Sequence, residues 1–72
     1  MYAIIEIQKN GENMSVLTAV KATRDLAEQE YHSRASYAAV SSAEVHSVAM
    51  ISEFGEKIKN EYYKHEVPAE EG

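Results

Sequence analysis

Apolar residues recur along two stretches near the start of the chain, in the pattern expected for a β-hairpin. Tyr2–Gln8 and Met14–Val20 are rich in β-favouring residues, and the turn-forming pair Asn10–Gly11 lies between them. Asn-Gly favours a two-residue hairpin turn because both central residues of that turn adopt positive φ. We therefore expect a hairpin in which Ile7 lies opposite Met14.

Both faces of this hairpin are apolar at the end away from its turn. One face carries Ala3, Ile5, Ile7, Met14, Val16 and Val20. The other face carries Tyr2, Ile4, Leu17 and Ala19. We place the first set beneath the helix and predict that the second set is an exposed interface. In the alternative arrangement the helix covers the second set, Ile5 and Ile7 point outward, and an apolar patch still remains.

The central part of the chain predicts one amphipathic helix. The sequence from Arg24 to about Ser41 contains neither Gly nor Pro, and Thr23 is a suitable N-cap. Small apolar residues and one tyrosine recur at helical spacing, which predicts one buried stripe made of Ala27, Tyr31, Ala35 and Ala38.

A second hairpin is expected after the helix. Val45–Ser52 alternates as a strand, with Val48 and Met50 on the side of the helix, and Gly55 suits a three-residue loop. The following strand, Lys57–His65, is polar and typical of a sheet edge. In this register His46 lies opposite Tyr62.

Together these elements predict an α+β domain of order ββαββ. Two β-hairpins are joined by one helix, which packs on a four-stranded, mainly antiparallel sheet. We assign residues 1–65 to this single domain and residues 66–72 to a disordered acidic tail.

Composition and charge narrow the range of functions. The chain has 72 residues, no Cys and a formal net charge of −5. Such a chain does not fit a disulfide scaffold or a multidomain enzyme, and its acidity argues against nucleic-acid binding. Its apolar opening is too short for a membrane span and has no basic leader, so we expect a cytoplasmic protein. Because a chain of this size is marginally stable alone, we also expect self-association.

The positions of the histidines give little support for a metal site or a catalytic site. Glu28 and His32 lie one helical turn apart, but a metal site would need a third ligand from His46 or His65. His46 could serve as a general base, yet no nucleophile motif accompanies it. We therefore predict no catalytic residue, no bound metal and no cofactor.

The aromatic residues could form a stacking platform for bases, but the basic residues that such a platform needs are scattered. The basic residues come closest to forming a continuous strip on the last strand. Sheet packing is the more economical interpretation of the tyrosines, which are Tyr2, Tyr31, Tyr37, Tyr62 and Tyr63.

Four stretches resemble a group of small, uncharacterised bacterial and prophage-borne proteins. They are Tyr2–Gln8, Ala38–His46, Glu53–Glu56 and Tyr62–His65. The resemblance covers almost all of the chain up to His65. The resemblance implies one intact ββαββ domain and does not imply any particular activity.

The sequence therefore predicts a non-catalytic interaction or accessory module that forms a homodimer or binds another protein. The interface expected from the sequence consists of Tyr2, Ile4, Leu17 and Ala19. The alternative is a nucleic-acid-associated accessory protein that uses Lys57, Lys59 and Lys64.

Overall fold

A computed structural model describes residues 1–65, which form one antiparallel sheet with one helix on it. The sheet has the order β2-β1-β3-β4, so β1 and β3 are central and β2 and β4 are the edges. This is the predicted ββαββ arrangement of the α+β class. The tail predicted for residues 66–72 lies outside the described residues. The elements are β1 (Tyr2–Asn10), β2 (Asn13–Lys21), α1 (Arg24–Ala39), β3 (Val45–Ser52) and β4 (Lys57–Lys64).

The turn of the first hairpin lies one residue later than the Asn-Gly pattern predicts. Gly11 and Glu12 are its central residues, and Gly11 has a φ of +61°. Asn10 remains in β1, where its side-chain oxygen accepts a hydrogen bond from the backbone N–H of Glu44 at 3.0 Å. The register is therefore shifted by two residues, and Ile7 lies opposite Val16 rather than Met14. A shift of two leaves every side chain on its expected face.

The helix follows the prediction closely. Its N-cap is Thr23, whose hydroxyl accepts the backbone N–H of Leu26 at 3.3 Å. The helix ends at Ala39, about two residues before the predicted end, with Val40 as its C-cap. The stripe predicted to be buried is confirmed in full, since the buried residues of the helix are Ala27, Tyr31, Ala35 and Ala38.

The helix covers the face of the first hairpin that carries Ile4, not the face that carries Ile5 and Ile7. Ile4 is fully buried in the core cluster, and Tyr2 and Ala19 pack against that cluster. The preferred placement of this hairpin is therefore wrong, and the alternative arrangement is the one observed. On β3 the prediction is confirmed, because Val48 and Met50 are fully buried beneath the helix.

A β-bulge changes the second hairpin. Its loop has the expected three residues, and Gly55 has a φ of +84°. The ladder then shifts, because Ile51 lies opposite Lys57 whereas Met50 lies opposite Lys59. One extra residue in a strand moves every later side chain to the other face. His46 consequently lies opposite Tyr63 and not Tyr62, so that predicted pair is wrong.

Candidate functional site

Within residues 1–65, no element covers the sheet face that points away from the helix, here called the uncovered face. The strand register arranges its side chains in four rows across the sheet. Ten of the sixteen positions are apolar. From one end to the other the rows are Val20, Ala3, Ile51, Lys57; Thr18, Ile5, Ala49, Asn60; Val16, Ile7, Ser47, Tyr62; and Met14, Lys9, Val45, Lys64.

Charge on the uncovered face is confined to its two ends. Lys57 lies in the first row, and Lys9 and Lys64 lie in the last. None of the sixteen positions holds a carboxylate, although the chain as a whole has a formal net charge of −5. The two middle rows have no charged side chain. An uncharged centre with polar ends is the usual anatomy of a protein interface.

The four residues predicted as the interface lie on the helix side of the sheet. Ile4 is 0% exposed and therefore cannot contact a partner. Tyr2 and Ala19 are half-buried against the core cluster, and only Leu17, at 49% exposure, is substantially open to solvent. The apolar surface is thus found on the opposite face from the predicted one. The hydrophobic pattern alone did not show which face of the first hairpin is exposed, since both of its faces are apolar.

The outer edge of β2 is a second feature without a partner in the part of the chain that the structure describes. The residues from Met14 to Val20 include no charged side chain and no Pro, and the pairing of β2 with β1 is regular over nine residues. By contrast, the other edge, β4, carries several lysines and the bulge. Lysines and bulges are devices that protect sheet edges from pairing, and β2 has neither in its centre.

A polar network lies under the helix and includes the two buried polar residues of the described chain. Glu6 is 7% exposed and His46 is 3% exposed. Nε2 of His46 lies 2.5 Å from Oε2 of Glu6, and Nη1 of Arg34 lies 2.5 Å from Oε1 of the same carboxylate. Nδ1 of His46 lies 2.8 Å from Oγ of Ser41. The carboxylate thus links β1, β3 and the helix.

The pKa of Glu6 reflects this environment. Burial raises the pKa of its carboxyl group, but hydrogen bonds from His46 and Arg34 outweigh burial and leave the pKa below its ordinary value. Glu6 is therefore a carboxylate at neutral pH, and His46 donates its Nε2 proton to it. With that tautomer, Nδ1 of a neutral ring accepts the hydroxyl proton of Ser41.

The chain from Ser41 through His46 to Glu6 has the connectivity of a nucleophile, base and acid. Its surroundings are less suited to acyl transfer. Ser41 follows the C-terminal end of the helix, where the helix dipole is negative and opposes a developing oxyanion. His46 is almost fully enclosed. These facts favour a structural role, in which the network fixes the helix on the sheet.

A second polar cluster surrounds Glu28 on the helix. Its carboxylate contacts Lys59 at 2.8 Å, Arg24 at 2.7 Å and His32 at 3.1 Å. Hydrogen bonds from Lys59 and then from Arg24 lower the pKa of Glu28 to about 2. The bulge in β4 makes this cluster possible, because it directs Lys59 toward the helix.

A shallow cavity of about 200 Å³ adjoins this cluster, lined by Tyr31, His32, Lys59, Asn60 and Glu61. The hydroxyl of Tyr31 donates to Glu61 at 3.3 Å. Burial, together with the charge of Glu61, raises the pKa of Tyr31 to about 12. Since Glu28 already binds Lys59, the positive charge of the lysine that lines the cavity is neutralised from within the fold.

The three histidines do not converge. His32 pairs with Glu28, His46 lies in the Glu6 network, and Nε2 of His65 lies 3.0 Å from the carbonyl oxygen of Ala38. Within residues 1–65 there is no group of three or more His, Asp or Glu side chains placed to hold a metal ion.

The lysines proposed for nucleic-acid binding do not form one strip. Lys57 and Lys64 point to the uncovered face, whereas Lys59 points to the helix and pairs with Glu28. Tyr62 and Tyr63 are likewise on opposite faces of β4. The bulge separates Lys57 from Lys59, and the ordinary alternation of a strand places the adjacent Tyr62 and Tyr63 on opposite surfaces.

Comparison with known protein families, curated proteins and solved structures finds no match to this chain. The resemblance to small prophage-borne proteins therefore stays a prediction. In the described part of the chain, no helix is both long enough and apolar enough to cross a membrane.

Proposed function

We propose that this protein is a non-catalytic interaction module that forms a symmetric homodimer through its uncovered face. The observation that carries the proposal is the composition of that face. An acidic chain has sixteen outward strand positions on it without one carboxylate, and ten of those positions are apolar. A contiguous apolar patch on a small domain commonly marks a site of association.

The size of the face matches what a stable dimer needs. Four strands about 4.8 Å apart, each about nine residues long at about 3.3 Å per residue, cover roughly 570 Å². Two copies would bury roughly 1,100 Å², which exceeds the approximate 1,000 Å² threshold for a specific interface. A second copy is therefore a sufficient occupant.

The distribution of charge also favours a second copy. The central rows contain Ile5, Ile7 and Val16 but no charged residue, so apolar side chains meet at the centre of a face-to-face pair. The lysines lie in the end rows, where their long side chains reach solvent around the rim. Two twisted sheets pack face to face with a core about 10 Å thick, as in β-sandwiches.

Ile7→Lys tests the proposal, because Ile7 lies in a central row of the uncovered face and contributes nothing to the core beneath the helix. The matched control is Leu26→Lys, which alters an apolar helix residue with 49% exposure on the other side of the molecule. Sedimentation equilibrium over a range of concentrations measures the mass of each particle against 8.1 kDa for one chain.

We expect Ile7→Lys to halve the mass of the associated particle and Leu26→Lys to leave it unchanged. Circular dichroism confirms that both variants remain folded. A wild-type chain of 8.1 kDa at every concentration, or a mass that Ile7→Lys does not alter, would overturn the proposal. Salt-dependent retention of the monomer on DNA would instead support the nucleic-acid alternative.

A further inference from the structure

We infer that the open edge of β2 is a second self-association site, which pairs antiparallel with β2 of another copy and places Leu17 opposite Leu17. The result is a continuous eight-stranded sheet. This inference rests on the edge of the sheet and is independent of the uncovered face.

The backbone of β2 offers a regular set of groups that have no partner strand among residues 1–65. Asn10 and Asn13 flank the two-residue turn and pair with each other, and the ladder continues without irregularity to Tyr2 and Lys21. In an antiparallel ladder, hydrogen-bonded and non-hydrogen-bonded pairs alternate. Because the pair that flanks such a turn is hydrogen-bonded, the odd-numbered residues of β2 bond to β1. The residues with N–H and C=O groups directed at the open edge are Met14, Val16, Thr18 and Val20.

These outward groups match those of a second copy under two-fold symmetry. With Leu17 on the axis, Val16 pairs with Thr18 of the second copy, and Met14 pairs with its Val20. Each pair makes two hydrogen bonds. Since the symmetry generates four such pairs, eight bonds satisfy every outward group from Met14 to Val20 on both strands. A closed two-fold arrangement of this kind is the commonest form of homo-oligomer.

Side-chain charge supports the same register. No charged residue lies between Met14 and Val20, so no like charges face each other within the pairing. At each end, Lys21 lies opposite Asn13 of the second copy and next to its Glu12. The ends of the paired strands therefore bring opposite charges together.

The helix leaves the edge accessible. It packs most extensively on β3 and least on β2, and Asn13–Thr18 are all exposed. The two-fold axis is perpendicular to the sheet, so both helices lie on one side and both uncovered faces lie on the other. Edge pairing and face pairing are therefore compatible in one assembly of four chains.

Leu17→Lys tests the edge without changing the uncovered face, because Leu17 lies on the helix side of the sheet. In the inferred pairing the two substituted lysines lie directly opposite each other, and like charges in that position destabilise a β-ladder. The matched control is Leu26→Lys, which places the same charge on an apolar helix residue that, like Leu17, is 49% exposed. We expect Leu17→Lys to halve the mass of the assembly by sedimentation equilibrium and Leu26→Lys to leave it unchanged.

Amide hydrogen exchange in the wild-type protein provides a second measurement that needs no variant. At concentrations that favour association, we expect the amides of Met14, Val16, Thr18 and Val20 to exchange about tenfold more slowly, or slower still, than on dilution. Rapid exchange of these four amides at every concentration would overturn the inference, whatever the result for Leu17→Lys.

The two self-association proposals are separable. Ile7→Lys removes face pairing and leaves the protection of the even-numbered β2 amides. Leu17→Lys removes that protection and leaves face pairing, because Leu17 lies on the helix side of the sheet. A chain that carries both substitutions should have the 8.1 kDa mass of a monomer. If Ile7→Lys alone gives that mass and the β2 amides exchange freely, the edge inference fails while the face proposal stands.

Discussion

Glu6 and His46 lie diagonally across β1 and β3, with Oε2 of the carboxylate 2.5 Å from Nε2 of the ring. Arg34 reaches the other carboxylate oxygen from the helix, also at 2.5 Å. A carboxylate with so little exposure is tolerated because each of its oxygens accepts a charge-assisted or ring N–H bond. These contacts therefore compensate for the burial of a carboxylate beneath the helix and link β1, β3 and the helix.

Removal of the carboxylate should destabilise the fold strongly. Glu6→Ala leaves Arg34 and His46 without their common acceptor, and breaking a buried ionic pair in this way costs about 3–5 kcal/mol. We expect a loss in the free energy of unfolding of about 3 kcal/mol or more, measured by urea denaturation. Glu53→Ala is the control, since Glu53 is exposed at a turn, and its effect should stay within about 0.5 kcal/mol. A loss below about 1 kcal/mol for Glu6→Ala would contradict the assigned role.

Acid should destabilise the protein through carboxyl groups with lowered pKa values. The pKa of Glu28 falls from 4.5 to about 2 in the folded chain, and that of Glu6 is also lowered. A lowered folded-state pKa adds stability that is complete above the unfolded value and is lost as pH falls through the folded one. The thermal midpoint should therefore decrease as pH is lowered from about 4.5 toward 2.

Glu28→Gln isolates one part of this pH dependence. The variant should be less stable than the wild type at neutral pH, because Lys59 and Arg24 lose their carboxylate. The difference should shrink as the wild-type Glu28 becomes protonated near pH 2. A difference between the two proteins that is constant from pH 7 to 2 would show that the ion pairs of Glu28 do not contribute.

The N-cap of the helix should be measurable on its own. Thr23→Ala removes the hydroxyl that accepts the N–H of Leu26, and loss of such a cap costs about 1 kcal/mol. Thr23→Ser keeps the acceptor and should retain most of the stability. Equal free energies of unfolding for the alanine and serine variants would exclude a capping contribution.

The loop between β3 and β4 needs glycine for conformational reasons only. Gly55 has a φ of +84°, and a Cβ atom there would meet no atom within 4 Å. Gly55→Ala should therefore lower the free energy of unfolding by about 1 kcal/mol through backbone strain alone. Gly55→Asn should cost less, because asparagine adopts this region more readily. Chemical denaturation of both variants provides the comparison, and an alanine variant as stable as the wild type would contradict it.

The local pattern of residues was sufficient to predict the helix and the strands themselves. Val45–Ser52 has the predicted bounds, Thr23 is the predicted N-cap, and the small-residue stripe of the helix is buried as expected. Each of these features depends on residues within one or two turns or within one strand. Hydrogen-bonding capacity and side-chain periodicity act over that range, so one sequence contains the necessary information.

The register of the strands was harder to predict from the sequence, because it depends on contacts between residues that are distant along the chain. Asn10 remains in β1 through its bond to Glu44, more than thirty positions away. The bulge that directs Lys59 to the helix is accompanied there by the ion pair with Glu28. Neither interaction appears in a pattern read along one strand.

Local sequence predicts the number, type and approximate bounds of the elements and which residues of the first hairpin share a face. Which of these two faces is buried depends on contacts that form only in the folded chain. Both faces carry enough apolar side chains to pack against a helix, so hydrophobicity does not separate them. The face with Ile4 is buried although it also contains Glu6, and this burial is tolerated because Arg34 and His46 from two other elements satisfy that carboxylate once the chain has folded.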